Sequence, residues 1–319
     1  MIKDFNSFIS EARGFSEPVN EYARLILHIM NHSVSEFFSN TKKSNRYKKD
    51  ILINDAYLEV TEETSREFTI DNIKIHFGIE QYNLEASPRP VAYYQSNYDK
   101  VKITPKNNGQ VDINITCILQ IGNTVDRSEL ERICRDVIQH ELTHAYNDYK
   151  EPNFLKNYRL GYTASYATQN YEFVNRMPTL NQFIQILYVL TDNEMKAIIG
   201  EREHFESLEE FNEYSGTKLA RLGTSYDPEE SYEMITEEAE SVLKYPEKVI
   251  KTFGKFFVNI YKGEIDTSLT AMDPKILELE NKDLLTILEY FEPYIKTRSQ
   301  YLLRKLHTKL AFQGKGKLI

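Results

Sequence analysis

Residues 111–121 alternate: Val111, Ile113, Ile115, Cys117, Leu119 and Ile121 are apolar, and every position between them except Ile118 is polar. A period of two held over eleven residues marks a strand with one buried face. The period then changes. Leu130, Ile133, Cys134, Val137, Ile138, Leu142 and Ala145 recur at helical spacing, which predicts an amphipathic helix from about Asp126 to Tyr149. A long half-buried strand feeding directly into a long one-faced helix predicts an α+β fold in which that helix packs on a small sheet.

The flanking sequence extends this pattern. Ser16-Glu17-Pro18 has the form of a helix start, and Tyr22, Leu25, Ile26, Ile29, Met30, Val34 and Phe37 carry the helix to about Ser39. The Lys- and Asn-rich residues 40–50 read as a connection. Ile73, Ile75, Phe77 and Ile79 alternate as a second strand, and residues 101–104 form a third, joined to the long one through Asn108-Gly109, a tight-turn signal. A small antiparallel sheet is expected. Residues 152–169 read as a surface loop; beyond Pro178 the chain reads as helical, with breaks near 191–192, 215–216, 223–228, 245–246 and 263–274. There is no internal repeat. The 319 residues divide into an N-terminal arm (1–15), an α+β domain (16–205) and a helical C-terminal domain (206–319).

Composition excludes more than it assigns. Lys and Arg total 39 against 48 Asp and Glu, a net charge of −9, which argues against a general nucleic-acid-binding surface. The longest apolar run, residues 183–190, is far short of the roughly 20 residues that span a bilayer, so no membrane segment is expected. The start of the chain lacks the apolar core of a secretory signal. Two cysteines, Cys117 and Cys134, cannot build a disulfide framework, which points to a reducing, cytoplasmic setting. The 22 Tyr and 17 Phe with no Trp, beside many Asn, Lys and Ile, fit an AT-rich genome. Residues 227–240 hold seven acids and no base, and residues 296–317 hold seven bases and no acid. These read as solvated helix faces that pack near one another, or as a partner-binding patch.

Chemistry enters with the helix after the long strand, which contains His140-Glu141-Leu142-Thr143-His144, an H-E-x-x-H motif. Positions four apart on a helix differ by about 40°, so both imidazoles leave one face a turn apart, as a shared zinc ion requires. They continue the stripe of Ile133 and Val137 and so point into the protein. Glu141 is placed to take a proton from a metal-activated water without itself being a ligand.

The segment 140–149, HELTHAYNDY, resembles the zinc helix of thermolysin, and H-E-x-x-H on a helix behind a strand is the mark of the zincin metallopeptidases. The resemblance covers about fifteen residues closely and the strand-then-helix order loosely. It implies a zincin-like core, a Zn²⁺ cofactor, Glu141 as general base and acid, and hydrolysis of a protein or peptide substrate. In that family an edge strand preceding the helix binds extended substrate; the resemblance maps it onto residues 111–121.

A third ligand is needed. The metzincin pattern would place Gly and His where this chain has Asn147 and Lys150. A glutamate from a later helix, as in gluzincins, is the other common solution, and Glu194 in Asn193-Glu194-Met195-Lys196-Ala197 resembles it, although the spacing departs from thermolysin and Ile198 stands where thermolysin has Asp. The rival role for Glu194 is to close a capping box with Thr191; Glu172, Glu201 and Glu203 are the reserves, Glu201 being nearly on the same face. His204 is a candidate to stabilise the oxyanion, or a surface histidine; Tyr162, Tyr166 and Tyr171 are further oxyanion candidates, and Asp148 could orient a ligand or be an exposed carboxylate.

Residues 5–13, Phe5 to Arg13, resemble the leader of internal virion proteins of T-even-like bacteriophages, with Ile9-Ser10-Glu11 as the cleavage triplet; read physically they are a short amphipathic helix. The leader implies a phage capsid or scaffold partner and a location in host cytoplasm or virion. The expected function is a zinc-dependent metalloendopeptidase of gluzincin type with His140, His144 and Glu194 as ligands and Glu141 and His204 as catalytic groups. The alternative is a virion or scaffold protein whose zincin domain is structural or inactive.

Overall fold

The computed structural model describes residues 17–40, 45–82, 89–96, 112–122, 124–150, 172–201, 207–209, 211–212, 226–263 and 274–312. By internal contacts the chain forms two compact units, Met1–Pro152 with Lys196–His204, and Asn153–Met195 with Phe205–Ile319. The fold is mixed α+β and mostly helical.

The first unit runs α1 (Glu17–Asn40), β1 (Arg46–Ile53), a 3-10 turn (Ala56–Glu59), α2 (Glu62–Glu67), β2 (Asn72–Gln81), β3 (Arg89–Ser96), β4 (Asp112–Ile121) and α3 (Arg127–Lys150). Its four-stranded sheet has the order β1-β2-β4-β3. The outer pairings, β1 with β2 and β3 with β4, are antiparallel. The two strands read from alternation, β2 and β4, instead lie parallel, with Ile73 beside Ile113, Ile75 beside Ile115, Phe77 beside Cys117 and Ile79 beside Leu119. All eight are buried. The sheet is antiparallel-rich, as expected, but its central pair is parallel, because alternation fixes the face a strand buries and not the direction of its neighbour.

Two strands depart from the sequence reading. Residues 46–53, expected within a connection, form edge strand β1, which buries only Ile51 and Ile53 and leaves Lys48, Lys49 and Asp50 in solvent. An edge strand of this kind carries charge in place of a hydrophobic period. The second is β3, which pairs along β4 and gives β4 a neighbour on each side. Residues 112–121 therefore have no free edge, and the expected edge strand is β3. The strand expected at 101–104, its Asn108-Gly109 turn and the loop at 152–169 lie outside the described residues.

Helix α1 packs against α3, joining Tyr22, Ile26, Met30, Val34 and Phe37 to Leu130, Cys134, Ile138 and Leu142 in one core with the sheet. Two buried hydrogen bonds cross this core: Gln139 Nε2 donates to Asn20 Oδ1 at 3.4 Å, and the Ile70 N–H donates to Tyr22 Oη at 3.1 Å. Burial pushes the Tyr22 hydroxyl up to about 12. Cys117 and Cys134 are both free and buried. Burial pushes the Cys134 thiol up to about 12 and the Cys117 thiol well above its ordinary range, so both serve as neutral core residues.

The second unit comprises α4 (Glu172–Asn175), α5 (Pro178–Val189), the start of α6 (Asp192–Gly200), α7 (Pro228–Val242), α8 (Pro246–Lys251), α9 (Phe253–Gly263), α10 (Pro274–Leu277) and α11 (Leu284–Phe312). Helix α7 packs on α5 and α11, and α9 on α11. Phe183, Tyr226, Phe257 and Phe291 meet with ring centroids 5.9–6.2 Å apart. Asp227 caps α7, its Oδ1 accepting from the Glu229 and Glu230 amides at 2.9 and 3.1 Å. Within the acidic run, Glu229, Glu230, Glu233, Glu237 and Glu240 are solvated, while Glu238 turns to α5 and accepts from the Thr179 N–H and hydroxyl at 2.6–3.0 Å. No helix among the described residues is long and apolar enough to cross a membrane.

Gly254 opens α9 where the backbone of residues 279–282 passes closest. Its N–H donates to the Lys282 carbonyl at 2.9 Å, and an added Cβ would stand 1.9 Å from the Leu279 carbonyl oxygen. Gly254→Ala is expected to destabilise by about 1–3 kcal/mol through forced backbone displacement. Gly78→Ala, whose Cβ would meet nothing closer than 3.5 Å, serves as the near-neutral comparison. Urea unfolding of the two variants checks this; equal midpoints would refute the packing account.

Candidate metal centre

Helix α3 brings His140 and His144 together as its period demands. Their Nε2 atoms lie 3.0 Å apart, with the rings at 87° and centroids 4.6 Å apart. His144 is buried and His140 partly so. On the far side of the first ring, His140 Nδ1 stands 3.0 Å from Glu201 Oε1. Glu201 is only 5% exposed, and its carboxylate acts as an acceptor, so Nδ1 carries the proton and Nε2 is the ring atom turned toward His144. A carboxylate behind a histidine is the usual device for orienting an imidazole toward a metal.

Glu194 completes the group. One donor atom from each of His140, His144 and Glu194 lies within 4.8 Å of the others, close enough to hold a metal ion. The local sequence explains how the start of this helix is capped without the Glu194 carboxylate. Thr191 caps α6: its Oγ1 accepts from the Glu194 N–H at 3.4 Å and its carbonyl from the Met195 N–H at 3.0 Å. The Thr191 N–H, which a capping-box glutamate would take, donates instead to the Tyr188 carbonyl at 3.0 Å. Thr191 thus supplies its half of the cap while the Glu194 carboxylate is grouped with the imidazoles. Ala197, fully buried one turn later, keeps this face of α6 narrow.

The donor set fits a borderline-soft divalent ion. Two imidazole nitrogens and one carboxylate oxygen make a three-protein-ligand set of the kind zinc takes when a fourth position stays open. Glu141 follows His140 by one residue, about 100° around the helix, and is 5% exposed. Its charge adds to the rise of the Cys117 thiol, after burial and the neighbouring Cys134.

Several expected residues fall elsewhere. His204, Glu203, Tyr162, Tyr166 and Tyr171 lie outside the described residues; Glu172 opens α4, and Asp148 occupies the last turn of α3. Glu201, a reserve ligand by sequence, is the partner of His140. The signal was present in its seven-residue spacing from Glu194, but spacing alone does not say which carboxylate meets the ion and which meets the ring.

Replacement of Glu201 is expected to lower metal affinity about 10- to 100-fold in Glu201→Ala and less in Glu201→Gln, which keeps an acceptor. Competition against a chromophoric zinc chelator measures it, and unchanged affinity in both variants would remove Glu201 from the site. Comparison with protein-family models, with curated proteins and with solved structures finds no match to this chain, so the reading of the site rests on its own residues.

Proposed function

We propose that the chain is a zinc-dependent metalloendopeptidase. The observation that carries the proposal is the His140–His144–Glu194 group with a buried Glu141 beside it on the same helix. His140, His144 and Glu194 would hold the ion, and Glu201 would fix the tautomer of His140. Zinc, when bound in such a set, supplies a Lewis acid and makes water acidic enough to react near neutral pH.

The remaining chemistry belongs to the protein. Glu141 takes a proton from the attacking water as its oxygen bonds to the scissile carbonyl carbon, then returns that proton to the amine nitrogen as the C–N bond breaks. Proton and electron pair both end on the leaving amine, and Glu141 emerges ionised for the next cycle. Edge strand β3 has a partner on one side only among the described residues, and an extended peptide could add to its open side. An open strand edge suits cleavage within a chain, which favours an endopeptidase over an enzyme that trims termini.

The test is cleavage of a broad peptide library by the purified full-length protein, read by mass spectrometry beside Glu141→Ala with zinc content measured in both. The wild type is expected to cleave, and the variant to lose about 10²- to 10⁴-fold in rate while keeping its zinc. A zinc-loaded wild type that cleaves nothing, or a variant that cleaves equally well, would overturn the proposal.

A further inference from the structure

We infer that Arg298 and Tyr294, on the C-terminal helix α11, are positioning residues for the metal site, acting through the backbone that carries Glu194. Both side chains donate to one acceptor. Tyr294 Oη lies 3.0 Å and Arg298 Nε 2.6 Å from the Leu190 carbonyl oxygen, and the Arg298 guanidinium lies over the Tyr294 ring at 5.3 Å. Leu190 and Thr191 are the whole link between α5, which ends at Val189, and α6, which begins at Asp192. A carbonyl at the end of a helix has lost its intrahelical partner, and here a neutral and a charge-assisted donor occupy it together.

The backbone on either side of that carbonyl is held link by link. The Leu190 N–H donates to the Ile186 carbonyl at 3.0 Å and the Thr191 N–H to the Tyr188 carbonyl at 3.0 Å. Thr191 then caps the Glu194 N–H and accepts from the Met195 N–H. From the doubly held carbonyl to the Glu194 backbone, these hydrogen bonds fix every residue but Asp192 and Asn193, and those two lie within the first turn of α6. Metal ligation tolerates errors of only about 0.2 Å in ligand distance. A pin at Leu190 therefore sets where the third donor stands, and the most distant part of the sequence contributes to the metal centre without touching it. Each donor is replaceable in kind: Tyr294→Phe deletes one hydroxyl and keeps the stacked ring, and Arg298→Lys keeps the charge and a donor without the planar fork.

This inference rests on the metal-site reading, and the experiment separates the two. In the full-length protein, zinc affinity is measured by chelator competition and ligand geometry by the visible absorption of bound Co²⁺. Zinc binding by the wild type that is lost in His140→Ala establishes the site; a wild type that binds no zinc would overturn the site and the inference together. With the site established, Arg298→Ala is expected to bind zinc about 10- to 100-fold more weakly, as for other groups that orient ligands, with Tyr294→Phe weakened several-fold and Arg298→Lys in between. The Co²⁺ absorption is expected to change in shape in both alanine and phenylalanine variants, which a loss of general stability alone would not produce in folded protein. In a Glu194→Ala background, Arg298→Ala is expected to cost no further affinity. Wild-type affinity and Co²⁺ spectrum in Tyr294→Phe and Arg298→Ala, or a loss that adds in full to that of Glu194→Ala, would overturn the inference. Should Arg298→Ala fail to fold, Tyr294→Phe carries the same comparison.

Discussion

Glu141, His144, Glu194 and Glu201 are all between 5 and 6% exposed, and His140 joins them with its Nε2 3.0 Å from that of His144. Three carboxylates and two imidazoles withdrawn from water in so small a space are costly, since each uncompensated buried charge carries a desolvation penalty of several kcal/mol. A divalent cation among the two nitrogens and the Glu194 oxygen would offset that penalty; Glu201 meets the His140 ring, and in the proposed function Glu141 would serve the substrate. No apolar force holds these groups together. Their convergence has to be imposed by the elements that carry them.

Helix α3 does this by being buried on opposite sides. Ile138 and Leu142 are rotated about 200° from His140 and His144, so one face enters the core with the sheet and α1 while the other presents the imidazoles. From Val137 to Ala145 only His140 is more than marginally exposed. Several polar side chains on this enclosed helix find partners: Gln139 Nε2 donates to Asn20 of α1, Thr143 donates to the Gln139 carbonyl at 2.7 Å, and His140 meets Glu201. Beneath it the parallel register of β2 and β4 gives an apolar floor that includes Cys117; its thiol and that of Cys134 on α3 are kept neutral by burial.

The centre of this arrangement was legible because it is local. The change of period between residues 121 and 130, the H-E-x-x-H spacing and the Thr191–Glu194 start of α6 all depend on residues within a turn or two of one another. The features that were not legible depend on pairing over distance. Nothing in the alternation of Ile73 to Ile79 or of Ile113 to Ile121 distinguishes parallel from antiparallel neighbours, and β1 hides its strand character behind Lys48, Lys49 and Asp50 because an edge strand is solvated. Arg89-Pro90-Val91-Ala92-Tyr93-Tyr94-Gln95-Ser96 offers no alternation to mark β3, yet that strand holds the edge that the resemblance assigned to residues 111–121. The contacts of Tyr294 and Arg298 with Leu190 span 104 and 108 residues, and no pattern in either segment anticipates them.

The position of Glu141 bears on the choice between the proposed function and its structural alternative. A zinc site that only stabilises a fold closes with four protein donors, and among the described residues the convergent group contains three. Glu141 is buried one residue along α3 from His140, about 100° around the helix, and is not one of the three convergent donors. A fold under selection for stability alone has no reason to sink an additional carboxylate next to a metal site, where an apolar side chain of the same volume would cost less. A buried carboxylate next to the ligands and outside their group suits the movement of a proton, and this is what favours the proposed hydrolytic function over a structural one.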